Sequence, residues 1–289
     1  MRLVRFQIPL VLLLLALVAF VAPAPSSPPS DVGADRTWTL GGWYDQEATK
    51  NPSPGVFPPH ARPHGLAYAD WGVRWWRWAL SFPASSNPIL DPTGSFNQQG
   101  QSGDVFFLAG NAGGSVERSV TIPNGAMIFF PILAADVTYP CPDPSFVPGP
   151  GQTLEDFLQT AGDQLMRSVG PMRVELDGRP LSGLAAYRAQ SGISTIIGDP
   201  SHTAAFDACI TGSEQSFVSD GYWMMLQPLE TGPHTLHFAA GIPAFGLSFD
   251  VTYRIEVTDV ASSGSAVAGA SPLQTPVEPK WRRLKVMYR

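Results

Sequence analysis

Four tryptophans within eight residues are the side chains that point most directly to a binding chemistry. Trp71, Trp75 and Trp78 recur at helical spacing, and Trp76 stands beside that row. An indole ring buries about 150–250 Å² of surface, and its flat face also suits a sugar ring or another planar ligand. Because a core-facing helix needs an apolar stripe of this kind, we expect the row of three to lie in the core.

The remaining tryptophan of this helix is the candidate for a ligand surface. Arg74 and Arg77 come shortly before and directly after Trp76, towards the other side of the helix. A ligand bound to this helix is therefore predicted to contact Trp76, Arg74 and Arg77, and the expected partner is a carbohydrate or another envelope protein.

The sequence contains no catalytic signature. Gly-x-Ser-x-Gly, His-Glu-x-x-His, a glycine-rich phosphate loop and Cys-x-x-Cys are all missing from it. Acidic pairs such as Glu175/Asp177 and Glu214/Asp220 resemble the carboxyl groups of a glycosidase, but their separation in space decides whether they can act together. We expect a non-catalytic binding or envelope-structural protein, with a secreted polysaccharide hydrolase as the alternative.

No metal site or cofactor is predicted. His234 and His237 lie three residues apart in a predicted strand, so their side chains point to opposite faces. A polar loop offers oxygen ligands for calcium, but its spacing does not fit an EF-hand. The polar residues of this loop are Asp91, Asn97, Gln98, Gln101 and Asp104.

The amino terminus has the layout of a secretory signal. Arg2 and Arg5 precede an apolar stretch, residues 8–22, which ends in small residues before Pro25. We expect a secreted or periplasmic protein, with an uncleaved amino-terminal membrane anchor as the alternative. The predicted segments are a signal peptide (1–24), a Pro/Ser/Gly-rich lead-in (25–64), a β-sandwich domain (65–260), a linker (261–279) and a basic tail (280–289).

Charge and cysteine content narrow the set of partners. The net charge is −6, and Lys50 is the only lysine before the tail. Nucleic acid is therefore not an expected partner, because binding phosphates needs clustered Lys and Arg. A membrane contact through the amino-terminal segment or the basic tail stays open. Cys141 and Cys209 are the only cysteines, and in an exported chain we expect them to form a disulfide.

The hydrophobic pattern is mostly that of strands. Residues 249–257 alternate strictly, while residues 127–133 form a continuous apolar run typical of a central strand. Asp177-Gly178 predicts one hairpin turn, and the segment between 222–226 and 234–238 predicts another. Two helices are expected, 70–80 capped by Asp70 and 153–169 capped by Thr153. The predicted fold is a single β-sandwich, jelly-roll-like, with two packed α-helices.

Several motifs together resemble a group of exported bacterial proteins that has no assigned activity. They are Trp75-Trp76-Arg-Trp78-Ala79, Asn87-Pro88, Asp91-Pro-Thr93-Gly94, Gly103-Asp-Val105-Phe-Phe107-Leu-Ala-Gly110, Phe129-Phe130-Pro131-Ile132, Asp220-Gly221-Tyr222-Trp223, Gly232-Pro-His234-Thr-Leu-His-Phe238 and Val251-Thr-Tyr253. The resemblance covers most of residues 65–257 and implies export and a single domain. The group's cysteines fall at Phe96 and Ser119 here, and its asparagine near Leu133-Ala134 is replaced, so the resemblance implies one disulfide fewer in this chain.

Overall fold

The computed structural model describes residues 55–259. The predicted signal peptide, linker and basic tail lie outside the described residues, as do residues 25–54 of the lead-in. The ten strands of the described part are β1 (Val105–Phe107), β2 (Gly114–Pro123), β3 (Met127–Tyr139), β4 (Arg173–Leu176), β5 (Arg179–Pro180), β6 (Arg188–Gln190), β7 (Ser194–Ile197), β8 (Glu214–Leu226), β9 (Gly232–Ile242) and β10 (Leu247–Thr258). The helices are α1 (Tyr68–Leu80), α2 (Leu154–Arg167) and the single-turn α3 (His202–Ala205).

The strands form two five-stranded mixed sheets, and the prediction of a mostly β sandwich with packed helices is confirmed. The first sheet has the order β1-β3-β8-β6, and β7 also pairs with β8. The second has the order β2-β10-β9-β4-β5. Each sheet contains one parallel pair, β1 with β3 and β2 with β10.

Neighbouring residues of β3 show how the layers stack. Side chains alternate along a strand, so Phe129 and Phe130 point to opposite faces of the first sheet. The Phe129 ring centroid lies 6.2 Å from that of Trp71 on α1. The Phe130 ring centroid lies 4.9 Å from that of Phe238 on β9. The first sheet is therefore covered by α1 on one face and by the second sheet on the other.

Helix α1 lies very close to its sheet. A Cβ at Gly72 would come within 2.8 Å of Ser219 Oγ and 3.0 Å of the Trp223 ring. The predicted cap of this helix is wrong by one turn, because α1 begins at Tyr68 and Asp70 lies inside it. Asp70 Oδ2 accepts a hydrogen bond from the Ala67 backbone N–H at 2.9 Å, so it still satisfies one of the donors left free at a helix start.

Helix α2 has the predicted cap. Thr153 Oγ1 accepts a hydrogen bond from the Asp156 backbone N–H at 3.1 Å. The helix packs across β3 and β8 on the face shared with the second sheet. A Cβ at Gly162 would lie 3.1 Å from Asp220 Cβ, so this glycine lets helix and strand approach closely.

One predicted hairpin is confirmed and the other is wrong. Asp177 (φ 50°) and Gly178 (φ 72°) connect β4 and β5 in the left-handed region, as a two-residue hairpin turn requires. Strands β8 and β9, by contrast, belong to different sheets. Residues 227–231 between them carry the chain from one sheet to the other.

The two cysteines are bonded as predicted. Cys141 and Cys209 form a disulfide that joins residues 68 positions apart, linking the end of β3 to the segment before β8. The end of the predicted lead-in also belongs to the sandwich. Val56 is fully buried and bridges Leu226 of β8, while the Phe57 backbone N–H donates to Met225 O at 2.9 Å.

Candidate functional site

A partly open cavity of about 80 Å³ lies among the described residues. It runs along the edge of β3, where residues 131–136 form one wall. Strand β1 pairs only with residues 127–129 of β3, so the rest of this edge has no strand neighbour on that side in the described range. The other walls come from α1, α2, β9, β10 and the segment after β1.

The cavity wall is mainly apolar. Phe238, Ile242, Phe249 and Val251 of the second sheet contribute to it, together with Met166 of α2. Solvent reaches part of this wall, because four of its residues are only half-buried. These are Gly110, Asn111, Ala134 and Leu165.

Trp76 supplies the one indole donor on the wall that lacks a partner. Its side chain is 4% exposed and lines the cavity, and its Nε1 has no hydrogen-bond partner among the described residues. Trp75, its neighbour on α1, also lines the cavity, but its Nε1 donates to Leu108 O at 2.9 Å. A buried N–H group that forms no hydrogen bond costs about 1–3 kcal/mol, so an acceptor that reached Trp76 Nε1 would stabilise the protein.

Asp136 places a carboxyl group on the same wall. It is 2% exposed and lies on the face of β3 that α1 covers, opposite Ser219 of β8. The β3–β8 register shifts between Pro131 and Leu133, within the stretch that lines the cavity. Among the described lining residues, Asp136 is the only one with a carboxyl group.

A buried arginine holds the segment after β1 in place. Arg118 of β2 is 1% exposed, and its Nη1 donates to Ala109 O at 3.0 Å and to Gly110 O at 2.9 Å. The same guanidinium donates to Tyr253 Oη at 2.9 Å. Gly110 is part of the cavity wall, so Arg118 positions the site without entering it.

The three residues predicted to bind a ligand do not share one surface. Trp76 is buried, whereas Arg74 and Arg77 are exposed. The Arg74 guanidinium carbon lies 5.0 Å from the Trp71 ring centroid, and Arg77 Nε donates to Thr195 O at 2.9 Å. The contact between Trp76 and a ligand stays a prediction. Because Trp76 is buried and lines the cavity, a ligand that contacts it would bind in the cavity.

The core assignment of the tryptophan row is confirmed. Trp71, Trp75 and Trp78 are all at most 7% exposed. The indole Nε1 atoms of Trp71 and Trp78 donate to Pro63 O and Gln99 O. This helix is the layer that covers the first sheet.

The polar loop considered for calcium is held together by its own hydrogen bonds. Asp91 Oδ1 accepts from the Thr93 backbone N–H at 2.7 Å, and its Oδ2 accepts from the Phe96 N–H at 2.7 Å. Asn97 Oδ1 accepts from the Ala109 N–H at 3.0 Å. Within residues 55–259 no three His, Cys, Asp or Glu side chains are grouped so that they could hold a metal ion.

The two histidines of β9 have separate carboxyl partners. His234 Nδ1 lies 2.8 Å from Asp177 Oδ2, and His237 Nε2 lies 3.3 Å from Asp250 Oδ1. Partial burial opposes protonation of His234, but the hydrogen bonds to Asp177 and to the Glu230 carbonyl raise its pKa above the usual range.

Two of the acidic side chains considered for a hydrolase, Asp220 and Glu175, form ion pairs with arginine side chains. Asp220 accepts two hydrogen bonds from Arg188, at 3.1 and 2.8 Å, and one from Gln190 at 2.8 Å. Its side chain is fully buried, and this burial raises the pKa of its carboxyl group against the opposing effect of Arg188. The Glu175 carboxylate pairs with Arg173 at 2.6 Å. Neither carboxyl group lines the cavity.

No family model, curated protein or solved structure matches this chain. Within the described range, no helix combines the length and the apolar character that crossing a bilayer requires.

Asp136 is the site residue that the sequence interpretation missed. It interrupts the otherwise apolar stretch that runs from Met127 to Val137. A charged residue inside a strand buried on both faces is unusual unless it has a partner or a function, and that is the signal that could have identified it.

Proposed function

We propose that this chain is an exported, non-catalytic binding protein that takes a small, mainly apolar ligand into the cavity beside β3. The observation that carries the proposal is the Nε1 of Trp76, which has no hydrogen-bond partner among the described residues, in a tryptophan that lines a mainly apolar wall. Binding sites for small molecules are typically apolar hollows with a few polar groups that orient the ligand. Trp76 and Asp136 are such groups.

Export is supported by two features of the chain. Arg2 and Arg5 followed by an apolar stretch have the layout of a secretory signal, and Cys141 is bonded to Cys209. Disulfides persist mainly in oxidising compartments. A secreted or periplasmic location fits both.

A carbohydrate lying flat on α1 has less support than a ligand inside the cavity. All four tryptophans of the helix are buried, so no indole face of α1 is open to a sugar ring. An apolar cavity of about 150 Å³ holds benzene, so a cavity of about 80 Å³ is too small to enclose a monosaccharide.

The test is a thermal-shift measurement on the full chain with 1-butanol, n-pentane and glucose. A ligand at about ten times its dissociation constant stabilises by about 1.4 kcal/mol, which corresponds to about 3–5 °C for a domain of this size. We expect at least one of the two aliphatic probes to raise Tm and glucose to have no effect.

Two variants of α2 make the test specific to the cavity. Leu165→Trp places a larger side chain at the wall, and Leu154→Trp is the matched control on the same helix, away from the cavity. The shift should disappear in the first variant and persist in the second. If neither aliphatic probe raises Tm, or if the shift survives in Leu165→Trp, the proposal is wrong and the envelope-structural alternative gains support.

A further inference from the structure

The most exposed large hydrophobic side chains of the described residues surround the amino-terminal end of α2. They are Ile197 (60% exposed), Val147 (51%) and Ile193 (40%). The Ile193 backbone N–H donates to Glu155 Oε1 on the first turn of α2 at 3.1 Å. Val147 follows Phe146, whose ring centroid lies 4.6 Å from that of Phe157 on α2.

Strand pairing brings β7 to the same surface. Thr195 pairs with Ser216 of β8, and Ser216 pairs with Tyr139 of β3, so these side chains share one face of the first sheet. Ile197 lies two positions from Thr195 and points to that face too. The Tyr139 ring centroid lies 6.5 Å from that of Phe157 on α2. This sheet end and helix start form one surface, the α2 patch, which consists of Tyr139, Phe146, Val147, Phe157, Ile193 and Ile197.

The charge around the α2 patch is negative. The segments that form it, 139–157, 193–197 and 214–216, contain four carboxyl groups and no Lys or Arg. The carboxyl groups belong to Asp143, Glu155, Asp156 and Glu214. A second copy of the patch is a poor partner, because like charges would face each other. The surface fits a partner that combines positive charge with apolar side chains.

The carboxyl-terminal residues of the chain have this composition. Residues 280–289 contain five Lys and Arg and no Asp or Glu, together with the apolar side chains of Trp281, Leu284, Val286 and Met287. We infer that this basic tail docks on the α2 patch of its own chain. Its apolar side chains cover the exposed Ile193 and Ile197, and its cations lie against the four carboxyl groups.

The linker is long enough for this contact. About 20 residues separate Asp259, the last described residue, from Lys280. An extended chain of that length spans up to about 70 Å. A domain of about 200 residues has a radius of gyration of about 17 Å. A flexible linker also keeps the tail at an effective concentration in the millimolar range, so a weak contact is enough to hold it.

The experiment is carbodiimide cross-linking of the full chain, followed by mass spectrometry of its peptides. The reagent joins a lysine amine directly to a carboxyl group, with loss of water, so it reports groups in contact. The chain has only three lysines, Lys50, Lys280 and Lys285, so a cross-link from the tail is identified without ambiguity. We expect the two tail lysines to be joined, within a single chain, to carboxyl groups of Glu155, Asp156 or Glu214.

Three variants test the apolar part of the contact. Ile197→Ser removes apolar surface from the α2 patch, and Leu284→Ser removes it from the tail. Each should lower the yield of these cross-links by about half or more, because less apolar area is buried on docking. Ile197→Leu is the matched control, which keeps the apolar surface and should keep the yield. Ile197 is exposed, so the changes at this position leave the core intact.

The outcomes that overturn the inference are distinct. They are the absence of tail cross-links to the α2 patch, cross-links formed only between two chains, and an equal yield at the exposed Glu256 of β10. An unchanged yield in Ile197→Ser also overturns it. No residue of the α2 patch lines the cavity, so these results leave the proposed ligand binding to its own test.

Discussion

Two adjacent tryptophans on α1 allow the free-energy cost of an indole N–H group without a hydrogen-bond partner to be measured by comparison. Trp75 is 1% exposed and Trp76 is 4% exposed, and both line the cavity. They differ in that Trp75 Nε1 donates to Leu108 O at 2.9 Å, while Trp76 Nε1 has no partner among the described residues. The same substitution to phenylalanine at each position therefore removes similar apolar area but different hydrogen bonding.

The expected magnitudes follow from this difference. Trp75→Phe loses a hydrogen bond and leaves the Leu108 carbonyl without its indole donor, which costs about 1–3 kcal/mol beyond the lost packing. Trp76→Phe loses only packing and also removes a buried donor that has no acceptor. We expect Trp75→Phe to be the more destabilising by about 2 kcal/mol. Trp76→Ala should cost about 3–5 kcal/mol, because it truncates a buried ring.

The assay is urea unfolding of the three variants and the parent chain, with the free energy of unfolding compared at unchanged m-value. Trp76→Ala is the control that shows whether the side chain is buried in solution. If Trp76→Phe costs as much as Trp75→Phe, the Trp76 indole is already hydrogen-bonded and the reasoning about the cavity is refuted. If Trp76→Ala leaves stability unchanged, the ring is on the surface.

Three further predictions concern stability. Replacing Cys141 and Cys209 together by serine should cost about 4 kcal/mol in non-reducing urea unfolding, because the bridge closes a loop over 68 residues. Burial lowers the pKa of His202, so the free energy of unfolding should fall as the pH drops below about 6.5, and His202→Gln should flatten that dependence in urea unfolding at several pH values. Gly221→Ala should lower Tm sharply, because its Cβ would lie 2.5 Å from Ala134 Cβ and 2.8 Å from Ala134 Cα.

Each of these predictions has its own control. For the disulfide, reducing agent should lower Tm of the parent chain and not that of the double variant. The effect of His234 on the free energy of unfolding has the opposite sign. Its raised pKa adds stability below about pH 6.5, and this stability is lost as the pH rises. His234→Gln therefore separates the contributions of the two histidines. For Gly221, the matched change is Gly149→Ala, whose Cβ would meet only Gln152 at 3.6 Å. A flat pH profile in the His234→Gln variant, where only His202 contributes, or equal effects of the two glycine changes, would contradict the packing described above.

Local patterns predicted most elements of this fold correctly. The strict alternation of residues 249–257 corresponds to β10, which is buried on one side only. Thr153 caps α2 because a side-chain oxygen at this position reaches the first free backbone N–H groups. Both signals depend on residues within a few positions of each other, so the sequence contains all the information they need.

Strand partners were predicted less well, because they depend on distant residues. Pro228, Gly232 and Pro233 predict a hairpin turn between β8 and β9, yet β8 pairs with β3 and β9 pairs with β10. Turn residues specify that the chain changes direction, but the side chains on each strand decide which sheet it joins. The parallel pairing of β2 with β10 joins segments more than a hundred residues apart, and no local sequence pattern predicts this pairing.

The cavity could not be predicted for the same reason, and its origin lies in one strand. β3 is 13 residues long, but its neighbour β1 covers only three of them. Beyond that point α1, α2 and the second sheet must fill the space along the strand edge with side chains alone, and the register shift near Leu133 disturbs the regular spacing there. Close packing fails where elements of different direction meet an edge that no strand extends, and Trp76 and Asp136 both lie at this place.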